Sequence, residues 1–316
     1  MILNKKCLIL LVLLITFLNQ FLNFTNDSTK TSNDDKIKYS ILNDNDYNNY
    51  SILNFPQAFE MHSHLRSNPH NIGNERKFVI GLSTVKRVNQ SYLFIMLDSL
   101  FVSMNSTEKS QIIVVLLVAE FEDANYRNRL INELNSKYVN EINKERILKL
   151  ISAPNSYYPD VNRKVDADEV FNDDEKRIKW RTKQNFDISY LMAYCRTKAT
   201  YYLQLEDDII SKRGFISEIE VYLSTLNNKK WIMIEFSPLG FIGKLFKTSD
   251  LPLFINTFIL YANYKPVDML HMSVLANIAC DPGRDISKCD KNLKKIYLKY
   301  SNSLFQHIGL ESSLKG

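Results

Sequence analysis

Glu206, Asp207 and Asp208 stand side by side near the end of the stretch "TYYLQLEDDII", Thr200 to Ile210. Three adjacent carboxylates repel one another, yet an apolar strand-forming run leads directly into them. Either the trio sits on a solvated turn or a cation belongs there. Carboxylate oxygens suit hard divalent ions such as Mg²⁺ and Mn²⁺, which usually keep contacts with substrate phosphates. Other candidates are scattered along the chain. Asp268 in "KPVDML" and Glu235 at the end of "WIMIE" are carboxylates that could take a proton from an attacking hydroxyl. Asp268 is equally the acid that a helix N-terminus favours. His307 in "FQHIG" is either a ligand or a core histidine. Thr84 and Arg87 end the first predicted strand and Glu120 ends the second. Lys183, Gln184 and Asp187, at spacings of three and four, share one face of a predicted helix, where Lys183 can neutralise phosphate charge. Tyr157 and Tyr158 suit either stacking on a ligand or a place in the core.

The elements that must position these residues are legible from residue 77 onward. Predicted strands are "FVIGLSTV" (78–85), "IIVVLLVAE" (112–120), "ILKLISAP" (147–154), residues 200–209 and "KWIMIEF" (230–236). Between them lie predicted helices over 91–103, 124–138, 181–197 and 214–226. Strands apolar on both faces, alternating with helices, predict an α/β fold whose mostly parallel sheet is covered on both sides. Ligands of such sheets sit beyond the carboxyl ends of the strands. Glu206, Asp207 and Asp208 follow such an end.

The chain has 316 residues, 45% of them hydrophobic, enough for one large domain or two small ones. The net charge of +5 is dispersed, so no clustered basic face points to nucleic acid. Eight glycines form neither a G-x-G-x-x-G nor a Walker-type loop, and no G-x-S-x-G elbow occurs. A diphosphate would therefore be held through a metal.

At the N-terminus, residues 1–6 carry Lys5 and Lys6, and Cys7–Phe24 is a long apolar run. It is near the lower limit for a membrane span and lacks an A-x-A-like cleavage site, so an uncleaved signal-anchor is expected over a cleaved signal. The preceding lysines put residues 1–6 in the cytosol and the remainder in the lumen. Residues 25–75 read as a flexible luminal stem. His62, His64 and His70 fall there and read as solvated rather than metal-binding. The sequons beginning at Asn23, Asn26, Asn49, Asn89 and Asn105 agree with a lumen. So do Cys280 and Cys289, which flank a turn-rich loop and form the natural disulfide pair; a zinc site lacks two further ligands.

Together, an acidic motif after a buried strand and a luminal α/β domain point to a nucleotide-sugar transferase of the GT-A type. The sequence resembles glycosyltransferase family 54, the N-acetylglucosaminyltransferase IV enzymes. The resemblance runs in order through "STVKR" (83–87), "SYYPD" (156–160), "KWRTKQNFD" (179–187), "YYLQLEDDII" (201–210), "IEFSPLGFIGKLF" (234–246) and "SLFQHIGLESSL" (303–314), covering roughly residues 76–314. It implies a GT-A catalytic domain over 76–316 that moves GlcNAc from UDP-GlcNAc, with Mn²⁺ or Mg²⁺, to the α1,3-arm mannose of N-glycans in the Golgi. The β1,4 linkage formed implies inversion.

Carried onto this chain, the resemblance makes Asp208 and His307 metal ligands, with Glu206 and Asp207 on the donor. Thr84, Arg87, Glu120, Lys183, Gln184 and Asp187 face the nucleotide. Asp268 is the expected base, with Glu235 as the alternative. Two departures bear on the acceptor side. The family continues into a lectin-like domain that is expected to be missing after Gly316. Where the family has a Trp and a second Asp following the base, this chain reads "DMLHMSVLAN". Two rival readings remain open: a non-catalytic Golgi partner that associates with other transferases, and a UDP-GlcNAc transferase with another acceptor.

Overall fold

The computed structural model describes residues 76–310 apart from 88–91, 121, 159–172, 228 and 281–285. The expected tail, anchor and stem, residues 1–75, lie outside the described residues, as do His62, His64 and His70. Among the described residues, no helix is long and apolar enough to cross a membrane.

The strands are β1 (Arg76–Thr84), β2 (Ile112–Val118), β3 (Leu148–Ile151), β4 (Ala199–Gln204), β5 (Ile209–Ser211), β6 (Met233–Glu235), β7 (Lys244–Lys247), β8 (Tyr297–Lys299) and β9 (Phe305–His307). Seven of them form one sheet in the order β3-β2-β1-β4-β7-β6-β8. The pairs β3–β2, β2–β1, β1–β4 and β6–β8 are parallel, and only β7 runs against its neighbours. β5 and β9 form a separate antiparallel pair in which Ile209 faces His307. The expected mostly parallel sheet is thus present.

The apolar runs explain why the sheet is buried on both faces. In β1, Phe78, Ile80 and Leu82 enter one core while Val79 enters the other. β2 alternates likewise, with Val114 and Leu116 against Val115 and Leu117. The first core is closed by the helices α1 (Leu93–Val102), α3 (Ala124–Lys137) and α5 (Phe215–Thr225), with the short α2 (Ser106–Ser110) leading into β2. The second is closed by α4 (Glu175–Cys195), α6 (Leu251–Leu260) and α7 (Val267–Ala279). A last helix, α8 (Cys289–Ile296), leads into β8. Cys280 and Cys289 form the expected disulfide, and Cys195 is a free, buried thiol.

Three element boundaries differ from expectation for local reasons. The strand expected over 200–209 breaks into β4 and β5, because three carboxylates must leave the hydrogen-bonded ladder. The strand expected over 230–236 shortens to β6. The helix expected to begin at 181 starts six residues earlier, where Asp174 caps it by accepting a hydrogen bond from the Arg177 N–H at 2.7 Å.

Candidate active site

The site is built where the parallel strands end. β4 delivers Glu206, Asp207 and Asp208 into the turn before β5. β1 ends beside them: the Thr84 hydroxyl donates to Asp207 Oδ2 at 2.6 Å. Three residues on, Arg87 donates from Nη2 to Asp207 Oδ1 at 2.5 Å and to Asp208 Oδ2 at 3.1 Å. Its guanidinium lies over the Tyr92 ring, 5.2 Å from the centroid. Both oxygens of Asp207 are thus held, and the cation is aimed by two acids and an aromatic face.

The β5–β9 pairing brings the chain's last described strand to the acids. His307 Nε2 lies 3.3 Å from Asp208 Oδ2, and the Ile308 N–H donates to the Asp208 carbonyl at 2.8 Å. Ligand atoms of Glu206, Asp208 and His307 all fall within 4.8 Å of one another. Asp208 Oδ1 is buried and has no hydrogen-bond partner among the described residues. A buried carboxylate oxygen without a donor is unfavourable unless something cationic faces it. Gly309 leaves the space for this approach: a Cβ there would collide with Asp208 Oδ2 and come within 3.0 Å of His307 Nε2. The two carboxylates suit Mn²⁺ or Mg²⁺, and the imidazole is better matched to Mn²⁺ than to the oxygen-demanding Mg²⁺, so the residues present fit Mn²⁺ best.

Charge crowding is visible in the acids themselves. Burial, then Asp208 and Asp207, push Glu206 up to about 7, against a hydrogen bond from the Phe241 backbone N–H. Burial also raises Asp207, opposed by Arg87 and Thr84. Gly240 borders Glu206, and the ring of the next residue, Phe241, lies 5.1 Å from that of His271, three residues past Asp268 in α7, which brings the N-terminal part of α7 toward the same acids.

The other expected residues divide into two groups. Lys183 reaches the end of β2, donating to the Ala119 carbonyl at 2.5 Å and to Asp187 at 2.8 Å. Tyr158 also donates to Asp187, at 2.6 Å. Asp187 is therefore a buried anchor for Lys183, its proton affinity raised by burial against that lysine. Tyr157 and Tyr158 belong to the core. Glu120 is half-buried just past β2, its Oε2 accepting from the Lys86 N–H at 3.4 Å, and Gln184 is half-buried on α4.

Glu235 is placed differently. It accepts from Lys244 at 3.1 Å and from the Tyr297 hydroxyl, and Lys299 lies at 3.4 Å. Burial alone would raise its proton affinity, but the Tyr297 hydrogen bond and the two lysines bring it below the ordinary carboxylate range. An ion-paired carboxylate held ionised is poorly matched to taking a proton near neutrality. The sequence reading missed Gly309, and also Lys244, which is fully buried and donates to the Ser237 carbonyl at 2.6 Å, tying the loop that carries Phe241. The only available signal was that both lie within the stretches "FQHIGLESSL" and "FIGKLF".

A family model described as the MGAT4 conserved region matches residues 44–316. The chain is 39% identical over 248 residues to a Bos taurus protein named alpha-1,3-mannosyl-glycoprotein 4-beta-N-acetylglucosaminyltransferase A, a match covering 78% of this chain and 45% of that one. To the Mus musculus protein of the same name it is 35% identical over 300 residues, covering 90% and 55%. The chain thus spans about half the length of these curated relatives. A solved mannosyltransferase from Pyrobaculum calidifontis, in complex with GDP-Man and Mn²⁺, is similar at a TM-score of 0.41 and 8% identity, covering 85% of this chain and 68% of that one. That likeness is too slight to carry an argument.

Proposed function

The chain belongs to the family of the MGAT4 conserved region, and from that premise we propose that it is a metal-dependent, inverting glycosyltransferase of the GT-A type. It moves GlcNAc from UDP-GlcNAc to a mannose of N-glycans, forming a β1,4 linkage on the α1,3 arm, as a Golgi protein anchored through its N-terminal apolar run. The observation that carries this reading is the convergence of Glu206, Asp208 and His307 around a buried, unpartnered Asp208 oxygen.

The roles follow from where each side chain is held. Glu206, Asp208 and His307 would hold Mn²⁺ or Mg²⁺, which supplies Lewis-acid stabilisation of the departing diphosphate. Arg87, aimed by Asp207 and Asp208, adds a fixed positive charge at the end of β1. Lys183, tethered at the end of β2, adds a second. Asp268 receives the proton of the acceptor hydroxyl as that oxygen bonds the sugar carbon and the bond to UDP breaks, the electron pair leaving with the diphosphate. Its exposed position on the first turn of α7 leaves it open to an acceptor.

The test is UDP release by the purified chain with UDP-GlcNAc and Mn²⁺, with and without a biantennary N-glycan, beside Asp208→Ala. Acceptor-dependent release that disappears in the variant is the expected result. Metal-dependent UDP binding without release would point to another acceptor or to a regulatory partner of other transferases. Absence of UDP binding would overturn the donor site itself.

A further inference from the structure

α4 carries a second polar face that the donor-side residues do not use. Arg181, Thr182 and Asn185 lie opposite Lys183 and Asp187, and all three are buried, Arg181 to 2% and Asn185 to 0% exposure. Their partners converge on one short segment, the turn between α6 and α7. Arg181 donates from Nε and Nη2 to the Asn263 carbonyl at 3.0 and 2.7 Å, and from Nη1 to Asp173 at 2.5 Å. Thr182 donates to Asn263 Oδ1 at 3.0 Å. Asn185 donates to the carbonyls of Ala262 and Lys265 at 3.0 and 2.8 Å. Three backbone carbonyls of a surface turn, those of Ala262, Asn263 and Lys265, are thus fixed from beneath by buried donors, where loops are ordinarily mobile.

The level of this turn is set by α4. Lys183, between the clamping residues, touches Ala119 just past the carboxyl end of β2. That part of α4 therefore lies at the ligand end of the sheet, and so does the turn bound to it. Asp268 follows three residues beyond Lys265, on the helix whose His271 ring lies 5.1 Å from that of Phe241, next to the Gly240 that borders Glu206. What the turn displays is two tyrosines, Tyr261 and Tyr264, 52% and 63% exposed, with ring centroids 6.4 Å apart. Exposed aromatic rings on an immobilised turn at the ligand end of the sheet suit a ligand with one apolar face and many hydroxyls. Their rigid faces can pack on it at little entropic cost.

We propose that the turn between α6 and α7 is an acceptor-saccharide platform, in which Tyr261 and Tyr264 pack against sugar rings and Arg181, Thr182 and Asn185 are positioning residues that hold the turn. The proposal rests on the transferase reading for the identity of the sugar, a neutral mannose-containing oligosaccharide, but its test does not need turnover.

Binding of a free biantennary N-glycan would be followed by ligand-observed NMR and calorimetry in the intact chain, with UDP and Mn²⁺ binding measured separately. Tyr261→Ala/Tyr264→Ala alters exposed residues only. It is expected to weaken glycan binding about tenfold, in line with the loss of aromatic packing, while UDP binding and Tm stay unchanged. Asn185→Ala is expected to weaken glycan binding further than UDP binding. Glycan binding unchanged in the tyrosine double variant overturns the platform, as does absence of glycan binding in the parent chain. A parallel loss of UDP and glycan binding in Asn185→Ala would overturn the positioning role. Failure of the parent chain to bind UDP, with glycan binding intact and tyrosine-dependent, would overturn the donor reading and support the platform.

Discussion

The proposed donor and acceptor walls are built on different principles. On the donor wall, charges are paired before any ligand arrives: Arg87 with Asp207 and Asp208, Lys183 with Asp187. On the proposed acceptor wall, the groups that face outward, Asp268, Tyr261 and Tyr264, are exposed, and the buried ion pair beneath them, Arg181 with Asp173, serves with Thr182 and Asn185 to hold the turn rather than to face a ligand. A nucleoside diphosphate brings high charge density and rewards a prearranged field. A neutral saccharide brings shape and hydroxyls and rewards a rigid surface. The contrast teaches that one helix, α4, can serve both walls by giving each a different face.

The largest effect that sharpens this contrast is expected from Asp208→Ala. Turnover should fall about a thousandfold and Mn²⁺ affinity with it, because a ligand worth several kcal/mol is removed. Manganese titration followed by UDP-release kinetics measures both, and retained metal affinity would break the donor-wall account. Next is Asp268→Asn, expected to reduce turnover at least about a hundredfold with donor KM unchanged, against less than about threefold for Glu235→Gln. The reverse ranking would move the base to the β6–β7–β8 edge of the sheet.

Arg181→Ala strips Asp173 of a buried partner and leaves the Asn263 carbonyl without two donors. Urea unfolding is expected to show a loss of roughly 3 kcal/mol. Gly309→Ala drives a methyl into the Asp208–His307 contact and should weaken Mn²⁺ binding about tenfold, read by the same titration, while costing roughly 1–3 kcal/mol in urea unfolding. The smallest effect concerns pH. Glu206 is raised from its ordinary value of 4.5 to about 7, so the metal-free folded state holds a proton that the unfolded chain has released. That contribution is complete below about pH 4.5 and is lost as pH rises through about 7. Discounted for partial exposure it is of order 1 kcal/mol. A thermal melt series should show it, and Glu206→Gln should flatten it.

Much of the donor wall was legible in the sequence because it is encoded in contiguous runs. β1 and β2 are apolar on both faces, and their termini carry Thr84, Arg87 and Glu120. The acids announce themselves by their mutual repulsion at a strand end. The approach of His307 to Asp208 was legible only through resemblance, since it depends on β5 pairing with β9, nearly a hundred residues apart, and on Gly309 having no side chain. Glu235 looked like a candidate base because strand ends attract that reading. Its partners, Lys244, Tyr297 and Lys299, come from two other strands that no local period reveals. The clamp under the α6–α7 turn was hidden for a further reason. Arg181 and Asn185 are polar residues at buried positions, and hydropathy alone assigns such residues to the surface.

Pairing of β9 with β5 also has a consequence for the order of events during synthesis. Glu206, Asp207 and Asp208 have left the ribosome roughly a hundred residues before His307 and Gly309 do. The main sheet up to β7 can form by then, but its cation site lacks the imidazole and the close backbone strand that shapes it. Contacts of such high sequence separation form late. A half-made chain therefore carries an open acidic turn, and the proposed metal site is complete only once the last described strand has paired.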